Sequence, residues 1–139
     1  EQKGKIFPPG KEAVISQFEA MRYSTFLCYD LRFPELFRGV AQQIDVVFVL
    51  ASWPAKRQKH WDTLLQARAI ENQCYVVGIN RIGVDGNQLD YSGGSQVIDP
   101  QGEVIAKGDQ NESFFTATID PSYVEKTRTT FPFLKDYQL

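Results

Sequence analysis

The sequence predicts an α/β fold with a central sheet and helices outside it, and three segments carry this prediction. The runs DVVFVL (45–50) and CYVVGIN (74–80) are almost entirely apolar, which is typical of strands buried on both faces. Between them, QKHWDTLLQARAIEN (58–72) is rich in helix formers and carries its apolar residues on one stripe. The alternation of strand and helix therefore favours a layered sandwich.

The segment before these runs predicts two short strands and a helix. Residues 13–18 and 23–27 have strand character, and the second strand ends at Cys28. Pro34 is a good first residue of a helix, because it has no N–H to leave unpaired there. Apolar residues continue at helical spacing to Gln43, where we expect this helix to end.

The C-terminal part predicts mainly strands. VDGN (84–87) indicates a turn, and GSQVID (94–99) with EVIAK (103–107) indicates a hairpin closed around a Pro-Gln-Gly sequence. SFFTATID (113–120) alternates between apolar and polar residues and predicts a further strand. A short helix is expected over 121–128, since Pro121 again stands at its first position.

The charge pattern excludes several classes of partner. The chain has 139 residues, enough for one ordinary domain, and a formal net charge of -2 with no basic patch. Nucleic acid is therefore not expected as a partner. No apolar stretch approaches the roughly 20 residues of a membrane span, and no secretory signal is recognisable, so we expect no membrane partner.

The two cysteines, Cys28 and Cys74, are too few for a disulfide scaffold. A reducing, cytoplasmic location is the expectation that follows from this. The chain has one histidine and no Cys/His cluster, which argues against a structural zinc site.

The stretch TFLCYDLRFPELFRG (25–39) places Cys28 between an apolar strand and a cluster of charge. A buried structural cysteine is the commoner fate of a free thiol. A nucleophilic thiol instead needs a base or cation to form the thiolate, together with donors for the oxyanion. The backbone N–H of Tyr29, at the junction of strand and turn, is the candidate donor.

The residues alone do not identify a base for Cys28. His60, in KHWDTLL, is more often a residue of a helix start or a surface than a catalytic partner. Spacing does not rank the glutamates, which include Glu12, Glu19, Glu35 and Glu71.

Four motifs occur in the order CYDLRFPEL, ASWPAKRQKHW, LLQARAIENQCYVVGINRIG and GGSQVIDPQGEVIA. In order and spacing they resemble the C-terminal half of the nitrilase, or carbon–nitrogen hydrolase, superfamily. The similarity extends from about Pro9 to Tyr137 and is greatest to the ω-amidase-like branch, whose members hydrolyse the terminal amide of 2-oxoglutaramate and related dicarboxylate monoamides.

This resemblance implies a fold, a nucleophile and a mechanism. The family fold is a four-layer α-β-β-α sandwich, and its catalytic set is Glu, Lys and Cys, often with a second Glu. By motif position Cys28 is the nucleophile, and the Tyr29 amide and the lysine stabilise the oxyanion. A thioester forms, ammonia leaves and water hydrolyses the thioester, with a small-molecule amide as substrate and without a metal or organic cofactor.

The chain lacks the motifs of the family's base glutamate and lysine. Residues 1–139 are therefore expected to be the C-terminal portion of a single domain, and a protein made of only these residues is expected neither to fold properly nor to be active. Glu1 is a candidate for the second glutamate, although its spacing to Gly10 is longer than expected. The alternatives are a non-catalytic binding module on the same fold, or a nitrilase, carbamoylase or acyltransferase.

Three residues are candidates for contact with substrate. Trp53 follows a buried strand, and in the family this loop lines the pocket; the alternative is a core aromatic residue. Ser52, beside it, is a second candidate. Asn80 and Arg81 stand at the end of the strand CYVVGIN, and Arg81 is either an anchor for a substrate carboxylate or part of a structural salt bridge.

Five further polar residues receive structural interpretations. Asp30 and Arg32 are expected to form a local ion pair that orients the turn after Cys28, with shaping of the pocket as the alternative. Arg68, Glu71 and Asn72 lie on the helix of 58–72 and are expected to hold it to its neighbours.

Two expectations concern the remaining thiol and the aromatic end of the chain. Cys74 lies in an apolar strand and is expected to be inert. The C-terminal part carries more phenylalanine than a solvated tail requires, and since family members commonly dimerise, a homodimer is expected. These phenylalanines are Phe114, Phe115, Phe131 and Phe133.

Overall fold

The computed structural model describes residues 10–138 and contains a six-stranded sheet beside a two-stranded hairpin. The order of strands in the sheet is β1-β2-β3-β4-β7-β8. Its members are β1 (Ser16–Phe18), β2 (Met21–Leu27), β3 (Val46–Ala51), β4 (Tyr75–Asn80), β7 (Gln96–Ile98) and β8 (Val104–Lys107). The separate hairpin is formed by β5 (Ile82–Val84) and β6 (Asp90–Ser92).

The centre of the sheet is parallel. β2 pairs with β3 and β3 with β4 in parallel register, whereas β1, β7 and β8 are joined antiparallel to their neighbours. Leu27 aligns with Leu50, and Leu50 aligns with Ile79. The three central strands therefore end at one edge, and the segments that follow them lie side by side.

Three α-helices accompany the sheet in the described part of the chain. They are α1 (Pro34–Val40), α2 (Gln58–Asn72) and α3 (Pro121–Thr130). Proline stands in the first turn of α1 and of α3, and the Asp120 carboxylate caps α3 by accepting the N–H of Ser122. None of these helices has the length and apolar character needed to cross a membrane.

One face of the sheet is covered by α1 and α2, and the main core lies there. Trp61 and Leu65 of α2 are fully buried against apolar side chains of the central strands. The helix approaches β4 closely at Gly78, where an added Cβ would lie 2.6 Å from a Leu65 methyl and 2.9 Å from the Trp61 ring. Glycine is required there because only a residue without a side chain leaves room for the helix.

The opposite face of the sheet is only partly covered. Val124 of α3 packs on one end of this face, against Val46 and Tyr75. Towards the end of the parallel strands, Leu27 is 61% exposed and Ile79 is 46% exposed. The α/β class is therefore confirmed, but the expectation that both faces of the central strands are buried holds only in part among residues 10–138.

Most predicted elements are present, with shifts at their ends. The helix expected to end at Gln43 changes into a 3-10 turn over Ala41–Gln43. The hairpin of GSQVID and EVIAK is confirmed as β7 and β8.

The strand expected over 113–120 is wrong. This segment has no regular structure, its residues are mostly exposed, and the Phe114 side chain is 93% exposed. β8 already forms the last strand at that end of the sheet. Within the described residues the segment pairs with no strand, although β8 is an edge strand with one side unpaired, and alternation of side chains alone does not form a strand.

A half-buried guanidinium joins α3 to the main core. Arg128 donates hydrogen bonds to the backbone carbonyls of Ala41, Ile44, Asn72 and Gln73 at 2.8–3.1 Å. Burial lowers the pKa of Arg128. Because these carbonyls lie at or beyond the ends of α1, of α2 and of the 41–43 turn, Arg128 supplies donors that those backbone ends lack.

Candidate active site

Cys28 occupies a strained position between β2 and a 3-10 turn over Cys28–Arg32. Its φ is +36°, a backbone conformation that side-chain-bearing residues rarely adopt. The residue is partly exposed and packs at the edge of the main core. The abrupt turn thus presents the thiol at the sheet edge, as the sharp strand-to-helix turn does for the serine of α/β-hydrolases.

The turn after Cys28 is fixed by contacts from two directions. The Asp30 carboxylate accepts the backbone N–H of Leu27 at 3.0 Å. From helix α2, the buried Arg68 donates to the carbonyl of Leu31 at 2.7 Å and also binds Glu71 at 2.7 Å. The structural interpretation of Arg68 and Glu71 is thereby confirmed, and their effect is to hold the turn that carries Cys28.

The expected ion pair between Asp30 and Arg32 is wrong within the described residues. The Arg32 guanidinium instead lies 4.7 Å from the centre of the Trp53 ring, and one of its nitrogens is 3.3 Å from Nδ1 of His60. Asp30 is engaged by the N–H of Leu27, so the two side chains point to different partners. Arg32 accordingly connects the turn to the loop that follows β3.

Cys28, Ser52 and Arg81 come together at the carboxyl edge of the parallel strands, because they follow β2, β3 and β4. Open α/β sheets bind ligands at this edge. The Cys28 thiol lies 3.9 Å from the carbonyl oxygen of Ser52 and donates towards it. The backbone N–H of Arg81 donates to the carbonyl of Ala51 at 3.2 Å, which sets the start of the third loop.

Asn80 is a residue of this edge to which the sequence reasoning assigned no role. Its side chain accepts the N–H of Trp53 at 2.7 Å and donates to the carbonyls of Trp53 at 3.1 Å and Gly93 at 2.8 Å. The backbone of Asn80 also exchanges hydrogen bonds with the Ser95 hydroxyl. An amide residue ending a strongly apolar strand was the signal available in the sequence, since such a buried group requires partners.

Trp53 takes its alternative place as a core aromatic residue. Its side chain is 3% exposed, its ring centre lies 5.6 Å from that of Trp61, and its indole N–H donates to the carbonyl of Arg57 at 2.8 Å. These contacts fit the alternative of a core aromatic residue, and the pocket-wall position stays a prediction. The ring turns inward because the large apolar surface and the N–H are both satisfied there.

The backbone N–H of Tyr29 lies in the first turn of the 3-10 helix that begins at Cys28. The leading N–H groups of a helix have no partner within the helix, which is the property expected of an oxyanion donor. The Tyr29 side chain is exposed and meets Phe33 edge to face at 5.1 Å between ring centres. Glu1, the candidate second glutamate, lies outside the described residues.

Arg81 is exposed, and its guanidinium lies 4.5 Å from the centre of the Tyr91 ring. It forms no ion pair with any residue in the range 10–138, so the structural salt bridge considered for it is not found there. Arg81 and Asn80 border a cleft of about 540 Å³ on the partly covered sheet face, whose lining does not include Cys28. Across the described chain, no three His, Cys, Asp or Glu side chains are grouped closely enough to hold a metal ion.

The second thiol is set apart from this edge. Cys74 is fully buried in the main core. Burial raises the pKa of Cys74 to about 12, with a smaller opposing effect of Arg128. A thiol that stays protonated and out of reach of solvent is not a nucleophile, in agreement with the expectation that Cys74 is inert.

Comparison with known proteins identifies the family to which this α/β structure belongs. The model of the carbon–nitrogen hydrolase family matches residues 3–129. The chain is 42% identical over 131 residues to the ω-amidase YafV of Escherichia coli strain K12, and 37% identical over 137 residues to the 2-oxoglutaramate amidase of Paenarthrobacter nicotinovorans. The chain therefore belongs to the carbon–nitrogen hydrolase family, which confirms the resemblance to the nitrilase superfamily.

A solved structure gives the same result for the fold. A carbon–nitrogen hydrolase superfamily protein from Xanthomonas campestris, determined with an arsenic adduct in its active site, superposes with a TM-score of 0.89 at 38% identity. The alignment covers 94% of this chain and 52% of that protein. Similarly, the aligned regions cover 94% and 95% of this chain but only 51% and 46% of the two amidases, so the chain spans about half the length of these relatives.

Proposed function

We propose that residues 1–139 form the C-terminal portion of a single carbon–nitrogen hydrolase domain and that the full-length protein hydrolyses the terminal amide of a small ω-amido acid such as 2-oxoglutaramate. The observation that carries this proposal is the partly exposed Cys28 thiol, held at a strained φ of +36° on the carboxyl edge of the sheet. Relatives that are 37–42% identical are named as ω-amidase and 2-oxoglutaramate amidase.

The proposed reaction proceeds through a thioester. The Cys28 thiolate attacks the amide carbon, and the carbonyl oxygen becomes an oxyanion that accepts a hydrogen bond from the backbone N–H of Tyr29. The C–N bond then breaks, and the nitrogen leaves as ammonia after gaining a proton. Water attacks the thioester, which releases the carboxylic acid and restores the thiol.

The Ser52 carbonyl has a defined place in this scheme. It lies 3.9 Å from the Cys28 sulfur and is an acceptor for which the thiol and an incoming amide N–H compete. When the thiol is deprotonated, the carbonyl is available to accept an N–H of the substrate's NH₂ group. This contact would orient the amide carbon towards the sulfur.

Arg81 is proposed to bind the carboxylate at the other end of the substrate. Its guanidinium lies at the same sheet edge and has no ion-pair partner among the described residues. A carboxylate enclosed in an active site without a cation is costly, whereas a bidentate pair with arginine is favourable. The proposal therefore joins the amide and carboxylate sites across one sheet edge.

The base and the catalytic lysine are assigned to the part of the domain outside this chain. The polar contact recorded for the Cys28 sulfur in the structure is with the Ser52 carbonyl, which is not a base. Glu71 is occupied by Arg68 and Arg38, and His60 lies against Arg32. A protein made of residues 1–139 alone is accordingly proposed to be inactive.

The test is ammonia release by the full-length protein from 2-oxoglutaramate, with Cys28→Ala and Cys74→Ala compared side by side. We expect Cys28→Ala to abolish release and Cys74→Ala to retain it, because the Cys74 thiol is buried away from the site. Quenched reactions should also contain an acyl adduct on Cys28, detected by mass spectrometry. Activity that survives Cys28→Ala would end the proposal, and absence of activity in the wild-type protein would favour a non-catalytic binding module.

A homodimer and a cytoplasmic location are proposed as well. Phe131 is 68% exposed and Phe114 is 93% exposed, and an apolar surface of this kind suits contact with a second copy. Cys28 and Cys74 are both free thiols, which suits a reducing compartment. Sedimentation of the full-length protein tests the first proposal, and a monomeric mass would contradict it.

A further inference from the structure

The hairpin of β5 and β6 begins directly after Arg81 and is organised around the Asp85 carboxylate. One oxygen of Asp85 accepts the backbone N–H groups of Asn87 and Leu89 at 2.8 and 3.0 Å, and the other accepts the Tyr91 hydroxyl at 2.8 Å. Asp85 therefore fixes both the turn of the hairpin and the phenol of Tyr91. These hydrogen bonds lower the pKa of Asp85, so the carboxylate stays ionised in its role as acceptor.

The aromatic ring of Tyr91 contacts the Arg81 side chain. It is only 7% exposed, and the Arg81 guanidinium lies 4.5 Å from its ring centre. At its other end, the backbone N–H of Arg81 is held by the carbonyl of Ala51. The backbone of Arg81 is thus held by a hydrogen bond and its guanidinium by the Tyr91 ring, and the ring contact reduces the rotamer entropy that the side chain would lose on binding a ligand.

The donors of Arg81 remain available to a ligand. Asp85 lies near enough for the positive charge of Arg81 to lower its pKa slightly, but its oxygens are taken up by hairpin donors and it forms no ion pair with Arg81. The contact with Tyr91 places the guanidinium carbon over the ring and uses no N–H group as a hydrogen-bond donor, which leaves those donors for a planar carboxylate.

The distance between this group and Cys28 suits a short substrate. Cys28 and Arg81 follow strands that are separated by one strand, β3, which places their backbones about 10 Å apart across two strand spacings. Tyr91 also lies within electrostatic reach of Cys28. Its pKa is raised, first by the hydrogen bond to Asp85 and, among weaker causes, by negative charge on Cys28.

We propose that Tyr91 and Asp85 are positioning residues that hold Arg81 as the carboxylate anchor and thereby set the preference for amides carrying a carboxylate several bonds from the reacting carbon. This inference rests on the proposed function and adds two residues to it. Neither residue touches the reacting atoms; both act through the orientation of the Arg81 guanidinium.

The test compares 2-oxoglutaramate with a neutral primary amide, hexanamide, in the full-length protein. Tyr91→Leu removes the ring and should raise KM for 2-oxoglutaramate about fivefold without changing kcat or the hydrolysis of hexanamide. Tyr91→Phe keeps the ring but loses the bond to Asp85, and a smaller rise, about twofold, is expected. The matched control is Tyr137→Leu, which removes a ring that stacks on a different arginine, Arg38, and should leave both substrates unaffected.

A second measurement does not depend on turnover. Cys28 is alkylated with N-ethylmaleimide or with its anionic counterpart 3-maleimidopropionate, and labelling is assigned by mass spectrometry. Arg81→Ala should lower the anionic rate relative to the neutral rate, and Tyr91→Leu should lower it in part. If the Arg81 variant changes this ratio and the Tyr91 variants do not, the positioning role is wrong while the anchor stands. If Arg81→Ala leaves the ratio unchanged, the anchor and its support both fail, although Cys28-dependent amide hydrolysis would still stand.

Discussion

The side-chain amide of Asn80 pairs with both backbone polar groups of Trp53, accepting its N–H at 2.7 Å and donating to its carbonyl at 3.1 Å. Trp53 is the residue after Ser52, whose carbonyl faces the Cys28 sulfur. A third hydrogen bond, to Gly93 at 2.8 Å, joins this loop to the segment before β7. One buried amide thus determines where the loop beside the thiol is placed.

Replacing Asn80 with aspartate should misplace that loop while conserving side-chain shape. The new oxygen would face the carbonyls of Trp53 and Gly93 in place of the N–H donors. We expect a loss of about 2–3 kcal/mol in the free energy of unfolding, because buried acceptors are left without donors. Urea unfolding of the full-length protein measures this loss of stability. The Gln88→Ala variant, changed at an exposed site in the β5–β6 turn, serves as control. A stability equal to that of the wild type would show that the Asn80 amide is dispensable.

The strained backbone of Cys28 predicts an unusual order of stability. Glycine adopts positive φ freely, whereas alanine keeps the strain of the native residue. Cys28→Gly should therefore be more stable than Cys28→Ala by about 1 kcal/mol, although both variants lack the thiol. Chemical denaturation of the two variants side by side gives the difference. If Cys28→Ala proves the more stable, the turn is not strained at this position.

The contact between β4 and α2 predicts that Gly78→Ala is destabilising. The added methyl would lie 2.6 Å from Leu65 and 2.9 Å from Trp61, so these buried side chains or the helix that carries them must shift, at a cost of about 1–3 kcal/mol. Gly39→Ala is the matched control, since it lies in α1 with open space around its Cβ position and should be neutral or slightly stabilising. Thermal unfolding distinguishes the two, and equal effects would contradict the close packing.

The extent to which sequence predicts this structure depends on the range of the interactions involved. Strands β2, β3 and β4 and helix α2 follow from apolar runs and helix formers, which are local signals. The inward position of Trp53 and the role of Asn80 depend on partners 27 residues apart, and no spacing rule reports such a pair. The segment 113–120 shows the reverse case, because its alternation is local but a strand also requires a neighbour.

The buried thiol of Cys74 predicts how stability responds to alkaline pH. Its pKa is raised by burial from 9.0 to about 12, so between these values the folded chain binds a proton that the unfolded chain has lost. The unfolded state then binds fewer protons, and the free energy of unfolding falls as pH rises through this window. The Cys74→Ala variant has no thiol at this position and therefore lacks the proton that titrates in this window. The stability difference between wild type and variant, whatever its value at pH 8, should therefore shift in favour of the variant as pH increases from 9.

Urea unfolding at pH 8, 9 and 10 measures the difference, and Cys28→Ala controls for loss of a thiol that is not buried. A difference that stays constant over this range would show that Cys74 titrates in the folded protein as it does in the unfolded chain.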